Sequence, residues 1–431
     1  MEFHIADLFE GVADAVPDRE AIVCADKRLT FAELDERATR LAHALAKAGI
    51  KPGDHIGLYL YNGIEYLEGM LAAFKIRAVP ININFRYVEE ELYYLFDNAD
   101  LVGIIHHREF APRIAAVADR LPKLKTLFAV EDGSNADGAA IGSLNYEEAL
   151  ANASPQRDFA PRSAGDLYIV YTGGTTGMPK GVMWRHEDLF FAALMGGNPY
   201  GPPPERPEQV GENAKAGQVL TALPAAPLMH AAAQWATLIY LFSGAKIVLT
   251  PGTGFDADRV WKLVEQEKVQ VMAIVGDAMA RPLADALDKP GASYDTSSLF
   301  VIGSGGATFS EGVKAQLKKH LPTLMLLDTF GGSEGGNQGR GVEATGGQAG
   351  PRFQADETSA VLDKNMQPLL PGTGKLGKLA RKGRIPFGYY KDAEKTAKTF
   401  IEAHGTRWVV AGDMATIEAD GTITLLGRGS N

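Results

Sequence analysis

Between residues 31 and 48 the apolar positions Leu34, Ala38, Leu41, Leu45 and Ala48 recur every three or four residues, and Gly49 follows them. That spacing predicts a helix with one buried face and a glycine stop. Residues 54–61 (DHIGLYLY) then read as a strand, 66–75 as a second helix and 78–83 as a second strand. Short apolar strands alternating with helices predict a parallel α/β sheet. Residues 130–165 are rich in Gly, Ala, Ser, Asn and Pro and read as a junction. A second series of the same kind follows. It has an amphipathic helix over 256–266 (Val260, Leu263, Val264) capped by Asp256, strands at 269–275, 299–303 and 324–327, and a helix at 310–320. Residues 199–217 (with GPPPERPEQVGENAKAG) read as a surface loop. After about residue 345 the pattern changes to short alternating runs separated by Gly and Pro, with one helix at 392–400. These runs predict β-hairpins in a smaller barrel-like unit. The fold class is therefore α/β, with two packed sheet-and-helix subdomains (1–165 and 166–345) and a β-rich one (346–431).

Composition narrows the function. Hydrophobic residues at 45% and charged residues at 22% of 431 suit a globular chain of two or three folding units. A net charge of −10 argues against a nucleic-acid partner, so any bound phosphate needs local donors. Cys24 is the one cysteine, which excludes an internal disulfide and reads as a small buried residue. His106 and His107 are adjacent, and adjacent side chains do not converge on one metal. The apolar stretch 225–249 is broken by His230, Gln234, Ser243 and Gly244 and reads as core, not a membrane span. The N-terminus is no signal peptide, which points to the cytoplasm. Nothing opposes a homodimer.

Chemistry concentrates in residues 171–181, YTGGTTGMPKG, directly after the strand-like run 166–171. Gly173, Gly174 and Gly177 let backbone N–H groups turn toward a ligand. Thr172, Thr175 and Thr176 add hydroxyls and Lys180 a cation, so the stretch is a candidate polyphosphate cradle. It is not a P-loop, because Pro179 precedes the lysine and Gly181 follows it. The stretch resembles the phosphate-binding signature of the adenylate-forming enzymes: acyl-CoA synthetases, peptide-synthetase adenylation domains and luciferases. Gly174 stands where that signature usually has serine.

Further segments resemble the same superfamily in the same order. Phe330-Gly331-Gly332-Ser333-Glu334, read as a loop after a strand, is similar to its Tyr/Phe-Gly-x-Thr/Ser-Glu motif. The match implies Phe330 against adenine, Ser333 at phosphate and Glu334 on Mg²⁺, with Asp328, Thr329 and Gly331 in the same nucleotide site. Gly305-Gly306-Ala307 resembles the segment under the adenine. Trp408…Gly412-Asp413 resembles the motif whose aspartate accepts both ribose hydroxyls, with Ala411 in place of threonine, and Arg428 matches an arginine near the same ribose. His230, in Pro227-Leu228-Met229-His230, is either a group bordering the acyl carboxylate or a satisfied core residue. Gly388-Tyr389-Tyr390 with 396–400 also resembles the family and reads as structural.

The resemblance implies ATP- and Mg²⁺-dependent conversion of a carboxylic acid to an acyl-adenylate, with release of pyrophosphate. Coenzyme A then takes the acyl group and AMP leaves. Lys180, Thr175, Glu334 and His230 would be the catalytic residues. Small side chains at Val275-Gly276-Asp277-Ala278, Gly305 and Gly306 leave room for a medium or long apolar acid, although Asp277 also suits a polar one. The implied superfamily continues past the hinge arginine into a small domain bearing a further lysine. This chain is therefore expected to be the large domain of a longer enzyme, binding its ligands without full activity. The alternatives are an acyl-AMP ligase that loads a carrier protein and a non-catalytic nucleotide-binding homologue.

Overall fold

The computed structural model describes residues 1–174, 177–342 and 351–428. The first predicted helix forms over Phe31–Lys47, where Thr30 and Glu33 close a capping box and Lys47 sits in the last turn. The second spans Ile64–Lys75. The strands around them, His55–Tyr59 and Val79–Asn82, join Leu101–His107, Thr126–Val130 and Leu144–Asn145 in a five-stranded parallel sheet. Its central strands are buried on both faces, as parallel strands covered by helices must be.

The second series builds a larger sheet. Lys246–Leu249, Thr221–Pro224, Val271–Ile274, Val301–Gly305 and Met325–Gly332 lie parallel in that spatial order. The helix Ala257–Glu267 is capped by Asp256, which accepts from the Arg259 N–H at 3.1 Å. Two strands from the N-terminal part also belong here. Glu20–Cys24 pairs in parallel with Lys246–Leu249, and Lys27–Thr30 completes a hairpin with it. The sheet thus crosses the boundary that the sequence pattern suggests near residue 165.

Three apolar clusters give five layers. One cluster packs Leu92, Phe96, Ile114 and Val117 on the outer face of the five-stranded sheet. The largest fills the space between the two sheets with Leu34, Leu41, Phe74, Leu67 and Leu238. The third packs Val260, Trp261, Leu283 and Leu317 on the outer face of the larger sheet. The expected α/β fold is present, and its layers run αβαβα.

Two expectations change. The C-terminal strands close no barrel among the described residues. From Gly336–Val342 onward they continue the larger sheet antiparallel, through Arg352–Gln354, Ile423–Arg428 and Asp413–Ile417 to Gly377–Lys382. Alternating runs specify strands but not where an edge pairs. The Pro-rich segment 199–217 contains a helix, Glu208–Ala216, that buries Val210 and Ala214. Those residues are four apart on one face, and Gly211 lets the helix pass close to the Gly11 carbonyl.

Candidate active site

Residues 171–181 are mostly strand rather than loop. Leu167–Gly174 and Gly177–Arg185 form an antiparallel hairpin, and Gly388–Tyr389 pairs along its second strand. Buried Tyr168, Val170, Val182 and Trp184 anchor it. Gly181 is required there, because a Cβ would lie 2.7 Å from the Tyr171 ring. Thr172 stands opposite Lys180 across the ladder. Thr175 and Thr176 lie outside the described residues.

The Phe330–Glu334 motif also extends a strand further than the sequence suggests. The strand runs through Gly332, and Ser333–Gly335 is the tight turn into Gly336–Val342. A Cβ on Gly331 would stand 2.3 Å from the Gly336 carbonyl, so only glycine fits this return. The turn meets the hairpin. The Trp184 indole N–H donates to the Ser333 carbonyl at 2.9 Å, and the Ser333 hydroxyl lies 3.4 Å from that of Thr172. The Ser333 hydroxyl also donates to Glu334 Oε2 at 3.0 Å, and the Tyr389 hydroxyl donates to Oε1 at 2.8 Å. Lys180 pairs with Asp392, which caps the helix Ala393–Thr399 by accepting from the Lys395 N–H. The hydrogen bond from Lys180, then that from the Lys395 N–H, hold the Asp392 carboxyl below its ordinary pKa.

A cavity of about 880 Å³ opens beside these groups. Thr172, Gly173, Gly305, Gly306 and residues 329–333 form one wall. Gly306 has φ +79° at the strand end, with no atom nearer than 3.9 Å to a would-be Cβ. That leaves open space beside the backbone, of the kind a planar ring fills. Met229, Trp235, Ile239, Tyr240, Val275 and Met279 make the rest largely apolar. His230 is exposed on this wall and makes no hydrogen bond with its ring among the described residues. The protein around it, and then Arg86, lower its pKa, so it is neutral at physiological pH.

Other predicted residues have different neighbours. Asp277 faces the start of the helix Glu311–His320, accepting from the Ser310 N–H and hydroxyl at 2.8 and 2.7 Å. It does not line the cavity, because its carboxylate is spent on Ser310. Asp328 pairs with Lys314 at 2.6 Å. Thr329 donates to the Ser304 carbonyl at 3.0 Å, and the Phe330 ring lies 5.0 Å from that of Phe353. Ala307 packs at Gly276. Asp413 and Arg428 are direct neighbours on adjacent strands. Cys24 is buried and its thiol is pushed up to about 11, by burial first and then by Glu65, so it is a poor nucleophile.

Asn82 escaped the motif reading. Its side chain donates to the Tyr171 carbonyl at 2.8 Å and the Met229 carbonyl at 2.7 Å, and accepts from the Tyr171 N–H at 2.7 Å. It fastens the hairpin to the segment that bears His230. The one signal was a lone amide in the apolar run VPINI.

No group of three or more His, Cys, Asp or Glu able to hold a metal occurs among the described residues. Glu334, a single carboxylate beside two hydroxyls, fits Mg²⁺, which is commonly bound through one or two carboxylates plus substrate phosphates. The family model for the AMP-binding enzymes matches residues 9–390. This chain belongs to the AMP-binding enzyme family. It is 47% identical to a 3-oxocholest-4-en-26-oate–CoA ligase of Rhodococcus rhodochrous over all of this chain and 78% of the relative. It is 47% identical to a medium/long-chain-fatty-acid–CoA/3-oxocholest-4-en-26-oate–CoA ligase of Mycobacterium marinum over 99% of the chain and 78% of that protein. Among solved structures, the anthranilate CoA ligase AuaEII in complex with anthranoyl-AMP superposes with a TM-score of 0.83. It covers 99% of this chain and 78% of its own, at 21% identity, so it supports the fold alone. Among the described residues of this AMP-binding enzyme, no helix is long and apolar enough to cross a membrane.

Proposed function

We propose that this chain activates a bulky apolar carboxylic acid with ATP and passes the acyl group to coenzyme A. The acid's carboxylate oxygen attacks the α-phosphorus, and the bond to the β-phosphate breaks as pyrophosphate leaves. The coenzyme A sulfur then attacks the acyl carbon, AMP leaves, and the thiol proton passes to solvent.

The observation that carries this reading is one continuous cavity. Thr172 and Ser333, the hydroxyls of the two motifs, stand at one wall, and Met229, Trp235, Ile239 and Met279 offer apolar surface at another. A charged headgroup and an apolar tail need such a pairing. Its volume of about 880 Å³ suits a large acyl group together with a nucleotide's base. The names of the relatives, which pair medium- and long-chain fatty acids with a sterol-derived acid, support the same choice.

In this reading Lys180 exchanges Asp392 for phosphate oxygens. Thr172, Thr175, Thr176 and Ser333 donate hydroxyls to them, and the N–H groups of Gly173, Gly174 and Gly177 complete the cradle. Glu334 holds Mg²⁺, which would neutralise phosphate charge when bound. Gly305, Gly306 and residues 329–331 form the base and α-phosphate wall, Ala307 and Asp328 support it from behind, and Asp413 with Arg428 binds the ribose. Neutral His230 borders the acyl carboxylate and can donate a hydrogen bond to it without a charge of its own. The cytoplasm, where ATP and coenzyme A are available, is the fitting compartment.

The test is calorimetric titration with non-hydrolysable acyl-adenylate mimics carrying a long alkyl chain, a sterol side chain, benzoate or an amino acid. The expected result is tight binding of the first two, lost in Glu334→Ala for Mg·ATP and in Asp413→Ala for every ligand. Preference for the amino-acid mimic, or no binding of any mimic, rejects the assignment.

A further inference from the structure

The turn that carries Glu334 is held from behind by residues far along the chain. Arg381 is 6% exposed, and its Nη1 donates to the Gly335 carbonyl at 2.6 Å and to the Asn337 carbonyl at 2.5 Å. Among the described residues it makes no ion pair within 4.0 Å. Its guanidinium therefore serves backbone oxygens on both sides of the turn. That fixes the backbone around Glu334 and leaves the side-chain torsions of Glu334 to be settled. Ser333 takes one carboxylate oxygen, but its hydroxyl also lies within 3.4 Å of Thr172 and can rotate between them.

Tyr389 takes the other oxygen, and Tyr389 cannot rotate freely. It is 5% exposed, its backbone pairs with Val182 of the phosphate hairpin, and its N–H donates to the Thr396 hydroxyl at 2.9 Å. Its ring packs on that of Phe400 at 5.7 Å. The phenol O–H thus comes from a fixed frame and reaches Glu334 Oε1 at 2.8 Å.

We propose that Tyr389 is the positioning residue for the metal-binding carboxylate, holding Oε1 of Glu334 so that Oε2 faces the phosphates and their divalent cation. The inference rests on the reading of Glu334 as the Mg²⁺ ligand. A carboxylate that keeps one oxygen in a fixed hydrogen bond presents the other with fewer torsions to freeze on binding. Tyr389 makes no contact with the reacting atoms in this account. Its effect passes through Glu334 and is confined to the metal-dependent part of nucleotide binding.

The experiment is calorimetric titration of the whole chain with ATP, with and without excess Mg²⁺, for the unmodified protein, Glu334→Gln, Tyr389→Phe and the double variant. Mn²⁺ bound in the presence of ATP, followed by electron paramagnetic resonance, gives a direct metal readout. Tyr389→Phe keeps the ring on Phe400 and removes only the hydroxyl. The expected result is that Mg²⁺ tightens ATP binding in the unmodified protein, and that Tyr389→Phe reduces this gain about tenfold, the scale of losing an outer partner of a metal ligand. Metal-free ATP affinity is expected to be unchanged, and adding Tyr389→Phe to Glu334→Gln to do nothing more. If Glu334→Gln abolishes the gain while Tyr389→Phe keeps it whole, the positioning role is overturned and the Mg²⁺ assignment stands. If Tyr389→Phe weakens ATP equally with and without metal, its role is general packing and the proposal fails. If Glu334→Gln leaves the gain intact, both the proposal and the metal assignment fail.

Discussion

Two clusters of charge in this protein are built on opposite terms. In the N-terminal half, the Lys75 side chain is 0% exposed and bonds Glu10 at 2.5 Å and Asp35 at 2.7 Å. Asp35 also holds Arg157, and Arg162 bonds both Glu10 and Asp7. Each buried charge has at least two partners, and none is left for a ligand. At the candidate phosphate site, Lys180 is 33% exposed and has Asp392, itself 26% exposed, as its single ion-pair partner among the described residues. Saturated burial makes a cluster part of the fold, whereas a half-exposed single pair can exchange its partner for a phosphate.

That contrast breaks most sharply at Lys75. Lys75→Met keeps the apolar stem but leaves Glu10 and Asp35 short of a partner. We expect a loss of about 3–5 kcal/mol in urea unfolding, the range for a broken buried pair. A loss below 1 kcal/mol would show that the cluster relaxes or hydrates.

Acid tests the same buried region next. His186 is 1% exposed, its ring lies 4.1 Å from that of His4, tilted by 32°, and it accepts from the Ile5 N–H at 3.2 Å. Burial holds its pKa to about 4, below 6.5. The folded protein keeps it neutral while the unfolded chain takes up a proton. Its contribution is therefore intact above pH 6.5 and is lost as pH falls from 6.5 toward 4, by about 3 kcal/mol in all. Unfolding free energy measured from pH 7.5 to 4.5 should fall in this window, and the fall should shrink in His186→Gln. A flat profile would rule out a neutral buried pair.

At the other cluster, Lys180→Ala should weaken ATP binding by about 2 kcal/mol and leave unfolding within about 0.5 kcal/mol of the parent. Raising salt should weaken ATP binding in the parent and leave the Lys75 cluster's contribution nearly unchanged. Equal effects on folding and binding would erase the distinction. The smallest effect belongs to Lys398, paired with Glu394 one turn away, where both side chains are more than 70% exposed. Lys398→Ala should leave the thermal melt essentially unchanged. A larger loss would mean that the helix Ala393–Thr399 behind Lys180 is more marginal than its packing suggests.

Much of the fold and site was legible in local pattern. Helical spacing placed Phe31–Lys47 and Ala257–Glu267, and the glycine-rich motifs marked segments that border the cavity. Less legible were features set by pairing between distant segments. The stretch 171–181 read as a loop because glycine and threonine dominate it, yet it pairs with itself, Tyr171 opposite Gly181 and Thr172 opposite Lys180, at the end of a hairpin that 167–170 continue against 182–185 and that 388–389 join at 182–183. Asp277 was open to a substrate role until Ser310 claimed it. Residues 388–390 looked structural, and nothing near them in the chain mentions Glu334.

By itself, the sequence determined many of the helices and strands, the Asp256 cap, the composition of the candidate phosphate cradle and the family, because these depend on residues within a few positions of one another. The tertiary structure alone decided that Lys180 rests on Asp392, that Tyr389 and Arg381 hold the Glu334 turn, and that the N-terminal hairpin completes the larger sheet. Those contacts join residues from 46 to more than 200 positions apart. Their closure is driven by burial of the whole core, so no local signal in the chain announces them.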